Sequence, residues 1–65
     1  MKTFEIVNIS DFNDSRIVDI DGLYDYFAVV LGETDADIVL DWAMQCRQGN
    51  NYEVGYTYMI VCREE

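Results

Sequence analysis

Carboxylates are the chemically active side chains that this sequence supplies in quantity. Thirteen Asp and Glu residues stand against four Lys and Arg residues, and the formal net charge is −9. Asp21 and Asp25 are four residues apart, as are Asp37 and Asp41, so each pair shares one face of a helix. Two such carboxylates can share a proton in a hydrolase. Exposed helical acids are far more often a solvated face, so we expect a non-enzymatic protein.

The remaining side chains favour no catalytic or metal chemistry. There is no histidine, which removes the commonest general base at neutral pH and a common metal ligand. Cys46 and Cys62 lie in apolar runs that disfavour the thiolate, so we expect both to be reduced and buried, although a bridge between them is possible. We therefore predict no catalytic residue, no cofactor and no metal.

One segment, residues 11–22, bears comparison with the twelve-residue calcium-binding loop. Oxygen-bearing side chains stand at ligand positions: Asp11, Asn13, Ser15 and Asp19. The template fails twice, because Arg16 stands where a glycine must turn the chain and Gly22 stands where a glutamate should close the shell. The sequence therefore predicts no dedicated calcium site.

A single small domain must position these groups. A chain of 65 residues can bury only about 60 % of its surface, yet 51 % of its residues are hydrophobic, which is typical of a folded protein. No proline, Gly/Ser tract or long repeat interrupts it. We predict one domain over residues 1–65.

The N-terminal third predicts one strand and leaves a second open. Thr3 to Ile9 is rich in Phe, Ile and Val, as strands are. Residues 10–15 carry Ser, Asp and Asn side chains that favour a turn. Arg16 to Ile20 is either a short return strand or an apolar tether.

Two helices are predicted in the middle of the chain. Asp21 is the expected N-cap of the first, which runs to Leu31 and ends at Gly32. Asp35 to Gln48 forms the second, with Thr34 as N-cap, Asp37 in a variant of the capping box and Arg47 in the last turn. Its narrow polar stripe predicts a nearly surrounded helix with Trp42 in the core.

The C-terminal segment alternates with period two from Tyr52 to Arg63 and predicts one long strand. At about 3.3 Å per residue it spans roughly 40 Å, so either Gly55 bends it or part of it pairs outside the sheet. We expect self-association through this strand, as a two-fold homodimer.

The predicted fold class is therefore α+β. A small antiparallel sheet of two or three strands, in the order β-(β)-α-α-β, is covered on one face by a helical hairpin.

Charge indicates the kind of partner. Nine of the thirteen acids and one of the four bases lie between Asp11 and Asp41. A field of this sign repels nucleic acid and anionic membranes, so we expect a basic protein partner and neither direct nucleic-acid nor membrane binding. The few cysteines and the absence of a signal peptide favour a cytoplasmic location.

The candidate binding residues are the acids of the two helices and one tyrosine: Asp21, Asp25, Asp35, Asp37, Asp41 and Tyr24. Spaced carboxylates on a rigid frame can imitate a short row of DNA phosphates. In size and charge, though in no motif, the chain resembles the small acidic inhibitors that phages make against host restriction or CRISPR nucleases. That resemblance implies an inhibitor occupying the basic surface of a nucleic-acid-processing protein. The alternative is an interaction module or small homodimeric subunit that binds through Tyr and Trp, with the acids serving solubility.

Overall fold

The chain forms an α+β fold, as its sequence predicts. The computed structural model describes residues 2–64, and of Phe12 only the backbone. Its elements, in chain order, are β1 (Lys2–Asn8), β2 (Asp11–Val18), α1 (Ile20–Val30), α2 (Glu33–Gln45), β3 (Asn51–Val54) and β4 (Tyr58–Glu64). Four strands are present in the described range, rather than two or three.

The four strands make one antiparallel sheet in the order β2-β1-β4-β3. The last strand therefore lies inside the sheet, with β1 on one side and β3 on the other. Both edges of β4 are paired within the sheet, so of the predicted strand Tyr52–Arg63 only the β3 part lies at a sheet edge. Self-association through that strand stays a prediction.

The predicted long strand from Tyr52 to Arg63 is a hairpin. β3 ends at Val54, three residues form a turn, and β4 begins at Tyr58, which pairs with Val54. Gly55 has a φ of 63°, a conformation that glycine adopts without strain. Because the turn has an odd number of residues, the alternation of apolar positions continues unbroken through it. Periodicity alone therefore could not separate the two strands.

β2 is longer than its sequence predicts. Residues 11–15 lie in the strand rather than in a turn, and only the final part of β2 coincides with the expected Arg16 to Ile20 segment. The turn itself is confined to Ile9 and Ser10. The pairing of β1 with β2 is irregular at Val7/Asn8. Most of β2 is exposed at the sheet edge, so backbone pairing rather than apolar burial makes it a strand.

The N-cap of α1 is Asp19, not Asp21. The Oδ1 atom of Asp19 accepts a hydrogen bond from the Gly22 backbone N–H at 2.8 Å. Asp21 lies within the first turn of the helix. Leu23 and Phe27 of the same helix are fully buried in the core. The side-chain hydrogen bond of Asp19 therefore sets the start of α1 two residues before the acid that the sequence favours.

α2 begins and ends before the predicted bounds. Its N-cap is Gly32, with a φ of 101° and no side-chain capping bond, so Thr34 is inside the helix. Glu33 and Asp35 in the first turn complement the helix dipole. Arg47 lies beyond the helix. Instead, the Lys2 ammonium donates to the carbonyls of Ala43 and Met44 at 3.4 and 3.2 Å.

One core joins the sheet and the helices. Phe4 pairs with Cys62, and Ile6 pairs with Ile60, so four buried side chains lie side by side on one face. The same cluster contains buried residues of both helices: Leu23, Phe27, Ala36, Val39 and Ala43. On the opposite face, Arg63 and Glu5 form an ion pair at 2.7 Å.

α2 is more exposed than predicted. Ile38 is 51 % and Met44 64 % exposed, so the helix is not surrounded. Trp42 packs against the core but is only partly buried. Neither helix of residues 2–64 has the length and apolar character required to cross a bilayer.

Candidate acidic binding surface

An open groove lies between α1 and α2. It has a volume of about 480 Å³ and is lined by Asp21, Tyr24, Asp25, Asp37 and Leu40. These five residues are called the acidic groove below. The two helices are in contact and are joined by only two residues, Leu31 and Gly32, so a short local connection keeps the two sides of the groove adjacent. It unites four of the six predicted binding residues: Asp21, Tyr24, Asp25 and Asp37.

The two helices supply the carboxylates by helical spacing. Asp21 and Asp25 lie one turn apart on α1, with Tyr24 between them on the same side. Asp37 and Leu40 are three residues apart on α2 and face the same groove. All three carboxylates are exposed, and Tyr24 is half-buried. The groove therefore presents three exposed carboxylates beside one half-buried tyrosine ring.

The electrostatics of the groove act on Tyr24. Desolvation raises the pKa of its phenol above the ordinary value of 10.0, and the carboxylates of Asp37, Glu33 and Asp25 raise it further. Each of these negative carboxylates disfavours ionisation of the phenol to the phenolate. Tyr24 therefore stays neutral and can donate a hydrogen bond at neutral pH.

The other two predicted acids lie elsewhere on α2. Asp35 lines a separate depression with Tyr52, Glu53 and Val54, towards the β3 end of the sheet. Residues two positions apart on a helix point about 200° from each other, so Asp35 and Asp37 cannot share a face. Asp41 is exposed one turn after Asp37 and extends the acidic row along α2.

Most of the aromatic side chains are engaged in packing. Trp42 stacks on Tyr52 with ring centroids 5.4 Å apart, and Phe4 lies 6.2 Å from Trp42. Tyr26 and Tyr58 meet edge to face at 5.8 Å. Tyr58 packs against the core, as expected for its position in the alternating pattern. Tyr56 continues the same alternating pattern but is 98 % exposed, because it lies in the turn after β3.

Residues 11–22, which resemble a calcium-binding loop only in part, do not form a loop in the structure. Residues 11–22 are divided between β2 and the start of α1. Asp11 accepts from the Asn13 backbone N–H at 3.1 Å, and Asp19 caps α1. Across residues 2–64, no group of three or more His, Cys, Asp or Glu side chains is arranged to hold a metal ion.

Two residues that contribute to this surface are not predicted from the sequence. Leu40 forms part of the groove, and Glu33 adds its charge to the surroundings of Tyr24. Their spacing was available, because Leu40 follows Asp37 by three residues and Glu33 precedes it by four. Comparisons with family models, curated proteins and solved structures find no match for this chain.

Proposed function

We propose that the chain is a small non-enzymatic acidic protein that binds a basic, nucleic-acid-binding surface of another protein and thereby inhibits it. The observation that carries the proposal is the acidic groove, which Asp21, Asp25 and Asp37 line together with Tyr24. Arg and Lys side chains of a partner would pair with the carboxylates and donate hydrogen bonds to the phenol oxygen of Tyr24. Size and charge together support an inhibitor of the phage anti-defence kind, acting without a cofactor.

The proposal includes an arrangement in which the helix pair covers one face of the sheet. It is supported by the core shared between both helices, β1 and β4. The acids of α1 and α2 then stand on the outer side of the molecule. Free, buried Cys46 and Cys62 support a cytoplasmic location in the same proposal.

Competition with DNA tests this function. The immobilised chain is used to capture basic proteins from a lysate of the cells that express it, and each captured protein is purified. Fluorescence anisotropy then measures whether the chain displaces a labelled duplex from that protein. We expect displacement at a stoichiometry fixed by the binding site. A captured protein that binds the duplex and the chain simultaneously would contradict occupation of its nucleic-acid-binding surface.

Matched variants locate the binding residues. The groove triple, Asp21→Asn, Asp25→Asn and Asp37→Asn, removes three charges from the binding surface. The control triple, Asp11→Asn, Asp14→Asn and Glu64→Gln, removes three exposed charges elsewhere. Each exposed ion pair contributes up to about 1 kcal/mol, so we expect the groove triple to lose roughly 3- to 100-fold in affinity. The control triple should lose much less.

A second candidate function is an interaction module or homodimer in which the acids only confer solubility. Exposed apolar side chains favour it: Ile17 is 61 %, Val29 87 % and Met44 64 % exposed. Tyr56 adds an exposed aromatic ring, whereas Trp42 and Tyr52 are occupied by stacking on each other. Sedimentation equilibrium decides this candidate, since a mass of one chain at micromolar concentrations contradicts the homodimer.

A further inference from the structure

The only two cysteines of the chain meet inside the core. Cys46 follows the last residue of α2, and Cys62 lies on β4. They are 4 % and 0 % exposed, and their Sγ atoms are 2.6 Å apart. Both are free thiols. The two sulfur atoms are therefore in direct contact, as formation of a disulfide requires.

Backbone hydrogen bonds hold both cysteines in place. The Cys46 N–H donates to the Trp42 carbonyl at 2.9 Å. The Cys62 N–H donates to the Asn50 carbonyl at 2.8 Å, and its own carbonyl accepts from the Gly49 N–H at 2.9 Å. The fold therefore brings the two sulfurs together before any oxidant arrives, and bond formation costs little further conformational entropy.

We propose that Cys46 and Cys62 are a reversible redox pair that forms an intramolecular disulfide by exchange with a low-molecular-weight disulfide of the glutathione type. One cysteine thiolate attacks the glutathione disulfide, releases one glutathione thiolate and forms a mixed disulfide. The second cysteine thiolate attacks the protein sulfur of that bond and releases the other glutathione. The protein gives up two electrons and two protons, and the glutathione disulfide receives them and becomes two glutathione thiols.

Access to the pair controls the rate of this exchange. Cys46 is the more exposed of the two residues and stands at the start of the connection from residue 46 to residue 50, so it is the thiol that reacts first. Burial and the contact with Cys62 raise the pKa of the Cys46 thiol to about 11. Few thiolates are therefore present at neutral pH, and exchange is slow unless this connection opens.

The disulfide would tie the end of α2 to an inner strand of the sheet. It closes a loop between residues 46 and 62, which are separated by 16 positions. α2 carries Asp37 and Leu40 of the acidic groove. Oxidation therefore fixes the helix that forms one wall of the groove, but the redox pair does not depend on what the groove binds.

Thiol–disulfide equilibria of the folded and denatured chain test the proposal. Reduced protein, and protein oxidised in guanidinium chloride and refolded, are each equilibrated in glutathione redox buffers until the two directions agree. Acid quenching and intact mass then count the disulfide form, which is two hydrogen masses lighter. For a loop of about 15 residues, we expect the disulfide to be favoured on the order of 100-fold more in the folded than in the denatured chain.

Variants with a single cysteine provide the control. Cys46→Ala and Cys62→Ala each retain one thiol and can form only a mixed disulfide with glutathione. In the parent chain, this mixed disulfide should remain a minor species. A folded-state equilibrium equal to or below that of the denatured chain would overturn the proposal, as would accumulation of mixed disulfides in the folded parent.

Discussion

Tyr24 is the residue whose chemistry reports the acidic groove most directly. Its phenol is half-buried, and partial desolvation together with the nearby carboxylates of Asp37, Glu33 and Asp25 raises its pKa above 10.0. The neutral phenol therefore stabilises the folded state below pH 10. That contribution is lost as the pH rises through the folded-state pKa, because the unfolded chain releases the proton first.

Removing the neighbouring charges should lower the pKa of Tyr24. The double variant Asp25→Asn, Asp37→Asn is expected to bring the pKa of Tyr24 closer to 10.0. Only desolvation and the Glu33 carboxylate then still raise it. Asp14→Asn is the control, because the Asp14 carboxylate raises the pKa of Tyr26 instead. NMR titration of the tyrosine Cζ resonances, assigned with Tyr24→Phe, measures both. An unchanged Tyr24 titration in the double variant would contradict the geometry of the groove.

For Trp42, the face of α2 that it occupies is easier to predict from the sequence than the degree of its burial. The sequence places it in the core, whereas the structure places it at the core's margin, stacked on Tyr52 and near Phe4. Helical periodicity indicates which face a residue occupies. It does not indicate how much of the side chain the neighbouring strands cover, and the Trp42 ring is only partly buried.

Truncating Trp42 should nevertheless destabilise the fold. We expect Trp42→Ala to lower the free energy of unfolding by about 2–4 kcal/mol, through lost stacking and apolar burial. Met44→Ala, on the same helix but 64 % exposed, should change it by less than about 0.5 kcal/mol. Urea unfolding followed by circular dichroism measures both. Equal effects of the two substitutions would show that Trp42 does not pack as described.

At the scale of elements, local chemistry predicted the kind of element better than its limits. β1 is predicted at Thr3 to Ile9 and lies one residue earlier, at Lys2–Asn8. The prediction is close because the apolar residues of this segment are the ones that the fold buries. β2 could not be predicted over residues 11–15, since its polar side chains favour turns and only pairing with β1 makes it a strand. The C-terminus of α2 is neutralised by Lys2, 41 residues before Ala43, and no local pattern reveals this contact.

The start of α1 offers a matched test of the structure against the sequence. Asp19→Ala removes the side chain that caps the helix and should cost about 1 kcal/mol of folding free energy. Asp21→Ala removes the same charge two residues later. It should cost only about 0.3–0.5 kcal/mol through the helix dipole. Chemical denaturation of both variants measures the difference, and a larger loss for Asp21→Ala would restore the cap predicted from the sequence.

At the scale of the whole molecule, the sequence predicts an acidic surface on the two helices, and the fold distributes its carboxylates between separate places. Helical spacing predicts that Asp21 and Asp25 share a face, and both line the acidic groove. The predicted binding residues also include Asp35 beside Asp37, although the structure separates these two on α2. The juxtaposition of α1 and α2 decides which acids face each other, and such tertiary contacts are not encoded in spacing within one helix.

The edges of the sheet carry the features by which proteins discourage edge pairing. β2 is irregular where it meets Val7 and Asn8, and it exposes Asp11, Asp14 and Arg16. β3 has only four residues. Charged side chains, irregular pairing and short length all oppose the addition of a further strand. A homodimer would therefore have to use exposed apolar side chains rather than a strand edge.

Removing groove charges should not harm the fold. The groove triple leaves the Asp19 cap intact and relieves repulsion in a chain of net charge −9. We expect a free energy of unfolding equal to the parent's or slightly higher, measured by urea denaturation at low salt. A loss of more than about 1 kcal/mol would show that these carboxylates are structural.

The most direct test of the proposed function is the salt dependence of partner binding in the two triple variants. Titration calorimetry of the parent, the groove triple and the control triple against one captured basic protein is performed at about 50 and 200 mM salt. We predict that the parent and the control triple weaken steeply with salt, while the groove triple binds weakly and changes little. Equal affinities and equal salt slopes for both triples would contradict binding through the acidic groove.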